Sequence, residues 1–454
     1  MTSDRRTIVR SAPVTARRRV LGLALPTLVE LLAFPLFSAA DLAMVAHLGA
    51  GPVTVVGLSM QPMFLLAALF LAGTVGGTAM VARHVGRGDR AAARAVARRV
   101  MALTAVVGAV VAGGANLAAP AILRFMGLPA GLMAQGVPYL RLLAVSMLFM
   151  GMANTAAAMF RAAGDTRTPM VVNITTGAVQ VVMDVLLIFP HGSFAGLGVL
   201  GEGGALLLAR ALATAWFLWV LARPNGQHSS VRVSLPELGR LGWPATAEGL
   251  FMSAGLTQFA REVAVLGTGL FAAHQIALNL VAFAFLPGQA YGLAAGALAG
   301  QALGAGNHDE AGQDLAAGMR LAQLTCGGIG LILVAGGGWF ARLYTTDPAT
   351  LALVAAALRV GGLMEFFQGT NLALTSGLRS IGDTRWPLMG TAVGVWLVRV
   401  PLGLVLPGML GITGVWLSIA ADHVTRAAVA YWRVRSGAWR RVEVGCAPAT
   451  AATS

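Results

Sequence analysis

The sequence predicts an all-α polytopic membrane protein, with twelve transmembrane helices in two six-helix lobes related by pseudo-twofold symmetry. Composition is the first observation. Of 454 residues, 57% are hydrophobic and only 11% charged, whereas a soluble domain has roughly a quarter of its residues charged. Length is the second, because a helix crosses the hydrocarbon in about 20 residues and apolar stretches of that order follow one another along the whole chain. The third is an internal repeat at an offset of 218 residues, which sorts those stretches into two sets.

The stretches cover 20–46, 54–82, 101–123, 137–160, 169–190, 203–222, 243–267, 273–300, 317–341, 351–375, 386–407 and 412–432. Span 1 carries Pro26, Glu30, Pro35 and Asp41. Either proline is able to bend it, since each removes a backbone donor. His47 stands beside the Leu48-Gly49 turn at its outer end. Span 2 leads into Arg83–Arg99, a segment with six arginines and with Gly86 and Gly88. Tyr139 opens span 4, and the loop after it reads Arg161-Ala-Ala-Gly-Asp165-Thr-Arg167-Thr-Pro169. Here glycine permits a tight turn, Asp and Thr suit the cap of span 5, and proline suits its first turn. The arginines are expected to stay with the anionic leaflet. Span 5 holds Gln180 and Asp184, and span 6 holds Arg210.

The second set repeats the first. Pro244 and Glu248 of span 7 stand where Pro26 and Glu30 stand in span 1, and Leu266-Gly267 where Leu48-Gly49 stands. Gly304 and Gly306 match Gly86 and Gly88, and Arg379-Ser-Ile-Gly-Asp383-Thr-Arg385-Trp-Pro387 matches the loop after span 4. The chain therefore divides into a basic tail (1–19), an N-lobe of helices 1–6 (20–222), a linker (223–242), a C-lobe of helices 7–12 (243–432) and a second tail (433–454). Six crossings per half make the repeats parallel. In secondary transporters such halves enclose a midplane site and rock about it.

The formal charge is +14, and all 32 basic residues are arginine. A balance of this size suits nucleic acid, but its distribution does not. With the N-terminus inside, 24 arginines fall on inner loops and span ends and four on the outer side (Arg124, Arg141, Arg342, Arg359). That bias predicts both termini in the cytoplasm, a multi-pass plasma (inner) membrane protein, and the bilayer rather than nucleic acid as partner. Cys326 and Cys446 lie too far apart in sequence to imply a disulfide framework or a zinc site. No span carries a metal motif or a nucleophile next to a base, so neither an enzyme nor a cofactor is expected.

The run from Leu25-Pro26 through Glu30, Pro35 and Phe37-Ser-Ala-Ala-Asp41 to His47-Leu48-Gly49 looks like the opening helix of a known family. So do Gly300-Gln301-Ala-Leu-Gly304-Ala-Gly306 and Gly377-Leu378-Arg379 through Asp383-Thr384. Over nearly its whole length the chain resembles the multidrug and toxic compound extrusion (MATE) transporters, in particular their DinF-like branch. The resemblance implies two lobes around a V-shaped cleft, exporting organic cations and amphipathic toxins against an inward flow of H⁺ or Na⁺. It places the coupling site at Asp41 and Asp184, with Tyr139 and Gln180 as polar partners. Gln180 stands where asparagine is commoner. The family's other branch uses a helix 7 glutamate, here Glu248, and a helix 10 acid, here Gln368 with Glu365 one turn away.

Seven acids lie within the spans as drawn: Glu30, Asp41, Asp184, Glu248, Glu262, Glu365 and Asp422. Ionised groups at the membrane centre cost about 2.5–3.5 kcal/mol each on insertion scales, so each is expected to face a cavity or a partner. Asp41 and Asp184 are the first candidates for carrying the coupling proton. Glu248, Gln368 and Glu30 are candidates for a substrate or second cation site, with Na⁺ at Glu248 as the alternative coupling ion. Arg261 cannot face its neighbour Glu262 on one helix, so cross-helix pairing is expected among Arg261, Glu262, Glu365, Arg399 and Asp422. The reading is thus a monomeric, H⁺-coupled antiporter, against two alternatives: an Na⁺-coupled exporter, or a lipid-linked oligosaccharide flippase using Arg210, Arg261, Arg399 and Arg426.

Overall fold

The computed structural model describes residues 15–190, 195–223, 235–442 and 444. Most of the predicted N-terminal tail and linker, and the end of the second tail, lie outside the described residues. Twelve helical units follow in the predicted order: α1 (Ala16–Ala46), α2 (Ala50–Gly86), α3 (Arg90–Phe125), α4 (Ala130–Ala162), α5 (Arg167–Ile188) and α6 (Val199–Ala222) form one set. The other is α7 (Leu235–Ala264), α8 (Thr268–Ala282 with Leu286–Gly304), α9 (His308–Ala341), α10 (Pro348–Ser380), α11 (Arg385–Leu410) and α12 (Ile412–Arg435). No strand occurs among the described residues. Nine of the helices described are long and apolar enough to cross a membrane, or ten when the two halves of α8 count as one span. The remaining two, α7 and α12, carry more charge: Glu237, Arg240, Glu248, Arg261 and Glu262 on one, Asp422, Arg426, Arg433 and Arg435 on the other.

The helices outrun their apolar stretches. α3 starts at Arg90 and α9 at His308, so Arg90–Arg99 sit on a helix rather than in a loop. The apolar count marks only the hydrocarbon, while the helix continues through the headgroup layer, where long arginines reach out of it. Capping fixes both starts at repeat-equivalent positions. Asp89 accepts from the Ala92 amide at 2.8 Å, and Asn307 from that of Glu310 at 3.1 Å. The loop aspartate also caps as expected in the first half, where Asp165 accepts from the amides of Arg167 and Thr168. Its counterpart Asp383 bonds instead to Arg433 of α12 at 2.6 Å. Burial pushes the Asp383 carboxyl above its ordinary range, against the downward pull of Arg433.

Three helices are irregular. α2 passes through a 3₁₀ turn at Ala68–Phe70, and α8 bends by 42° between its two segments. These breaks fall at nearly equivalent points of the repeat. α11 is π-helical over Ala392–Arg399.

The lobes meet on their arginine-rich side. The Leu71–Gly86 half of α2 packs against α7 and against the Leu286–Gly304 half of α8. Gly86 lies on the Gln301 backbone and Gly304 on that of Arg83, a reciprocal contact of the two repeats. Gln301 donates to the Ala162 carbonyl at 2.8 Å. The start of α1 reaches the C-lobe, where Arg19 pairs with Glu310 at 2.8 Å and with Asp314 at 2.9 Å. A short segment after α12 crosses the same seam. Trp439 is buried among Leu303, Ala311 and Leu315, the Val442 carbonyl accepts from Arg83 at 3.1 Å, and Val444 sits among Ala79, Val81 and Leu241. On the opposite side, Ala50–Ala67 of α2 packs chiefly on α4, and Thr268–Ala282 of α8 chiefly on α10. Those two segments make no extensive contact with each other.

Candidate functional site

Four of the predicted residues come together inside the N-lobe. Asp184 and Tyr139 are fully buried, and Asp41 and Gln180 are partly so. The Asp41 and Asp184 carboxyls lie close enough to interact, and Gln180 sits one turn before Asp184 on α5. Two further residues complete the cluster. Glu202, fully buried in the first turn of α6, faces both Asp41 and Tyr139. Arg210, also on α6, donates to Ser146 at 2.8 Å and lies within electrostatic range of Glu202 and Asp41. Asp184 and Glu202 have no oxygen in hydrogen-bond geometry, nor does the Tyr139 hydroxyl. Asp41 and Glu202 thus face one guanidinium, and Asp184 lies within electrostatic range of both carboxyls. With all three ionised the site would hold excess negative charge out of water, an expensive state that a proton or an organic cation relieves.

Sequence reasoning missed Glu202 because span 6 was drawn from residue 203, one position too late. Asp314 escaped similarly and lies within α9. Arg210 was visible but had no assigned partner.

Glu30 and Glu248 occupy a different environment, and it is duplicated. The Glu30 carboxylate accepts from Arg161 at 3.0 Å and from Asn173 at 2.7 Å. Glu248 accepts from Arg379 Nε at 2.9 Å and from Thr391 at 3.0 Å. Arg161 and Arg379 are the first residues of the repeated loop, and Asn173 and Thr391 are likewise 218 apart. The expectation that these arginines serve the leaflet is therefore corrected, because each turns inward to fix a glutamate. Between the clamps lies a cavity of about 450 Å³ at the junction of the lobes. Thr74, Thr78, Asn154 and Gln289 give it polar walls, and Arg161, Glu248 and Arg379 line it too. Gln368 does not join Glu248 there. It is buried elsewhere on α10, its amide oxygen unpaired.

The C-lobe interior is also charged, but at positions the repeat does not predict. Asp422 of α12 lies between Arg399 at 3.9 Å and Arg426 at 3.8 Å, beside the π-helical segment of α11. Arg399 stacks on Phe259 at 4.3 Å, and Glu262 accepts from Gln258 at 3.2 Å. Cross-helix pairing thus holds for Arg399 and Asp422. It fails for Arg261, which is exposed, and for Glu365, whose buried oxygens have no hydrogen-bond partner. Among the described residues, no three His, Cys, Asp or Glu side chains, the N-lobe carboxyls included, are placed so that they could hold a metal ion together.

The MatE family model matches this chain twice, over residues 26–186 and 244–405. The chain belongs to the MatE family. The second match begins 218 residues after the first, so the family unit is the repeat itself. MatE proteins are transporters rather than enzymes, and the fold is their twelve-helix, two-lobed one in a multi-pass membrane protein. A relative from Thermotoga maritima, named as the probable multidrug resistance protein NorM, is 27% identical over 433 residues, covering 94% of this chain and 93% of its own. Among solved structures, a Vibrio cholerae MATE transporter in its bent form superposes with a TM-score of 0.86 at 19% identity, covering 93% of this chain and 97% of that one. A multidrug resistance MATE family transporter in its outward-facing conformation gives 0.84 at 20% identity, covering 95% and 98%.

Proposed function

We propose that this MatE protein exports organic cations and amphipathic drugs across the plasma membrane in exchange for inward-moving protons, working as a monomer with both termini in the cytoplasm. The observation that carries the reading is the N-lobe cluster, where Asp41 and Glu202 face Arg210 and Asp184 joins them, with Tyr139 and Gln180 beside. A proton entering from outside neutralises one carboxyl, loosens the site's hold on a cationic substrate, and biases α1, α5 and α6 toward another packing. The inward-facing state releases the proton and binds substrate, because the coupling is reciprocal. The arginine bias supports the orientation. The multidrug name of the Thermotoga relative supports the substrate class.

Sodium coupling at Glu248 fits less well. Arg379 and Thr391 already satisfy that carboxylate, and the guanidinium stands where a coupling cation would bind. Glu248 instead acts as a clamped carboxylate in the wall of the inner cavity, and Glu30, held by Arg161 and Asn173, plays the matching structural part in the N-lobe. The test is dye uptake into inverted vesicles, whose outward-turned cytoplasmic face makes export an accumulation. A pH gradient should drive transport in the native protein and not in Asp41→Asn. Stimulation by Na⁺ at fixed pH, with the Asp41 variant unaffected, would overturn the assignment.

A further inference from the structure

A second cavity, of about 520 Å³, opens on the outside of the N-lobe between α3, α4 and α6. Its walls are apolar, formed by Met101 and Ala105 of α3, Met152 of α4 and Leu218 and Leu221 of α6, and its one charged wall residue is Arg98. Arg98 and Ala105 are seven residues apart, so the apolar part runs about 10 Å deeper along the helix than the charge. The polar end is built. Arg98 is exposed and donates to the Leu221 carbonyl at 3.0 Å, which anchors one nitrogen and leaves its other N–H groups available. Two residues beyond Leu221, the Arg223 guanidinium stacks 3.8 Å over the exposed Trp219 ring, the kind of residue that sits at headgroup level. Among the described residues, Arg94, Arg98, Arg99 and Arg223 form no ion pair with a carboxylate.

We infer that this groove binds one anionic phospholipid, its acyl chain along Met101, Ala105 and Met152 and its phosphate on Arg98 and Arg223. A charge at one end of an apolar slot, at the depth where helices leave the hydrocarbon, complements a phosphate ester on an acyl chain. A soluble anion would leave the apolar length unused. The assignment to the cytoplasmic leaflet rests on the orientation proposed above, whereas binding itself does not, and a micelle experiment separates the two.

Native mass spectrometry of the full chain, in micelles with equal amounts of phosphatidylglycerol and phosphatidylcholine, reads the retained lipid directly. Each interfacial arginine contributes about 1 kcal/mol toward anionic lipid, so Arg98→Ala/Arg223→Ala should lower phosphatidylglycerol retention about 30-fold. Arg98→Lys/Arg223→Lys should retain most of it, which separates loss of charge from loss of fold. Met152→Trp fills the slot and should reduce retention with both arginines intact. Equal retention of the two lipids, full retention by the double alanine variant, or displacement by inorganic phosphate at matching concentration would each overturn the proposal.

Discussion

The reciprocal contact of Gly86 and Gly304 predicts how the lobes close. A Cβ on Gly86 would stand 2.7 Å from the Gln301 carbonyl carbon, and one on Gly304 2.9 Å from that of Arg83. Ordinary carbon contacts lie near 3.5–4.0 Å, and these neighbours are backbone on rigid helices, so the seam must part by about 1 Å at each point. Overpacking of this kind costs about 1–3 kcal/mol per site. Gly86→Ala/Gly304→Ala therefore disfavours the closed arginine-rich side by about 4 kcal/mol, a shift of about 1000-fold. Gly88→Ala serves as control. Its φ of 78° strains an alanine, but nothing lies within 4 Å of the added carbon, so the seam is untouched. Spin labels at positions 90 and 308, the equivalent first residues of α3 and α9, measure the spacing by pulsed electron resonance once Cys326 and Cys446 are replaced by serine. The short-distance population should vanish in the double variant and persist in Gly88→Ala. An unchanged distance distribution in the double variant would refute the reasoning.

Glu202→Gln should reduce pH-driven efflux at least tenfold and flatten its pH dependence, since the variant removes one of three carboxyls that share the site; native rates would remove Glu202 from it. Arg379→Ala should destabilise the protein by about 3 kcal/mol, the lower end for breaking a buried pair because Arg379 is partly exposed. Adding Glu248→Gln should recover most of that in mixed-micelle unfolding, and failure to recover would show that the arginine acts through other contacts. Trp439→Ala should cost about 3–5 kcal/mol and release the segment that bridges the lobes, lengthening the same spin-label distance; an unchanged distance would limit Trp439 to C-lobe packing.

Much of the site was legible in one dimension. Asp41, Asp184, Tyr139 and Gln180 do converge, and the equivalence of Glu30 and Glu248 was plain from the repeat. Their partners were not read, although the signal was there. Arg161 follows Glu30 by 131 residues and Arg379 follows Glu248 by the same 131, a spacing that the repeat preserves and hydropathy does not register. Glu202 was lost to a boundary, because an acid at a helix start lowers the local apolar count that defines the span.

Hydropathy and self-similarity are local properties of the chain, so the sequence by itself determined the twelve spans, the two halves and the distribution of arginine. Which charges meet depends on helix rotation and on packing between residues more than a hundred positions apart. The tertiary structure alone therefore decided that the loop arginines clamp glutamates, that Glu202 and Arg210 join the N-lobe acids, and that Asp422 lies between two arginines beside a π-helical turn. The repeat was kept where the lobes touch, because a pseudo-twofold seam requires both halves to match there. It was lost in the two interiors, where no partner across the axis constrains the residues.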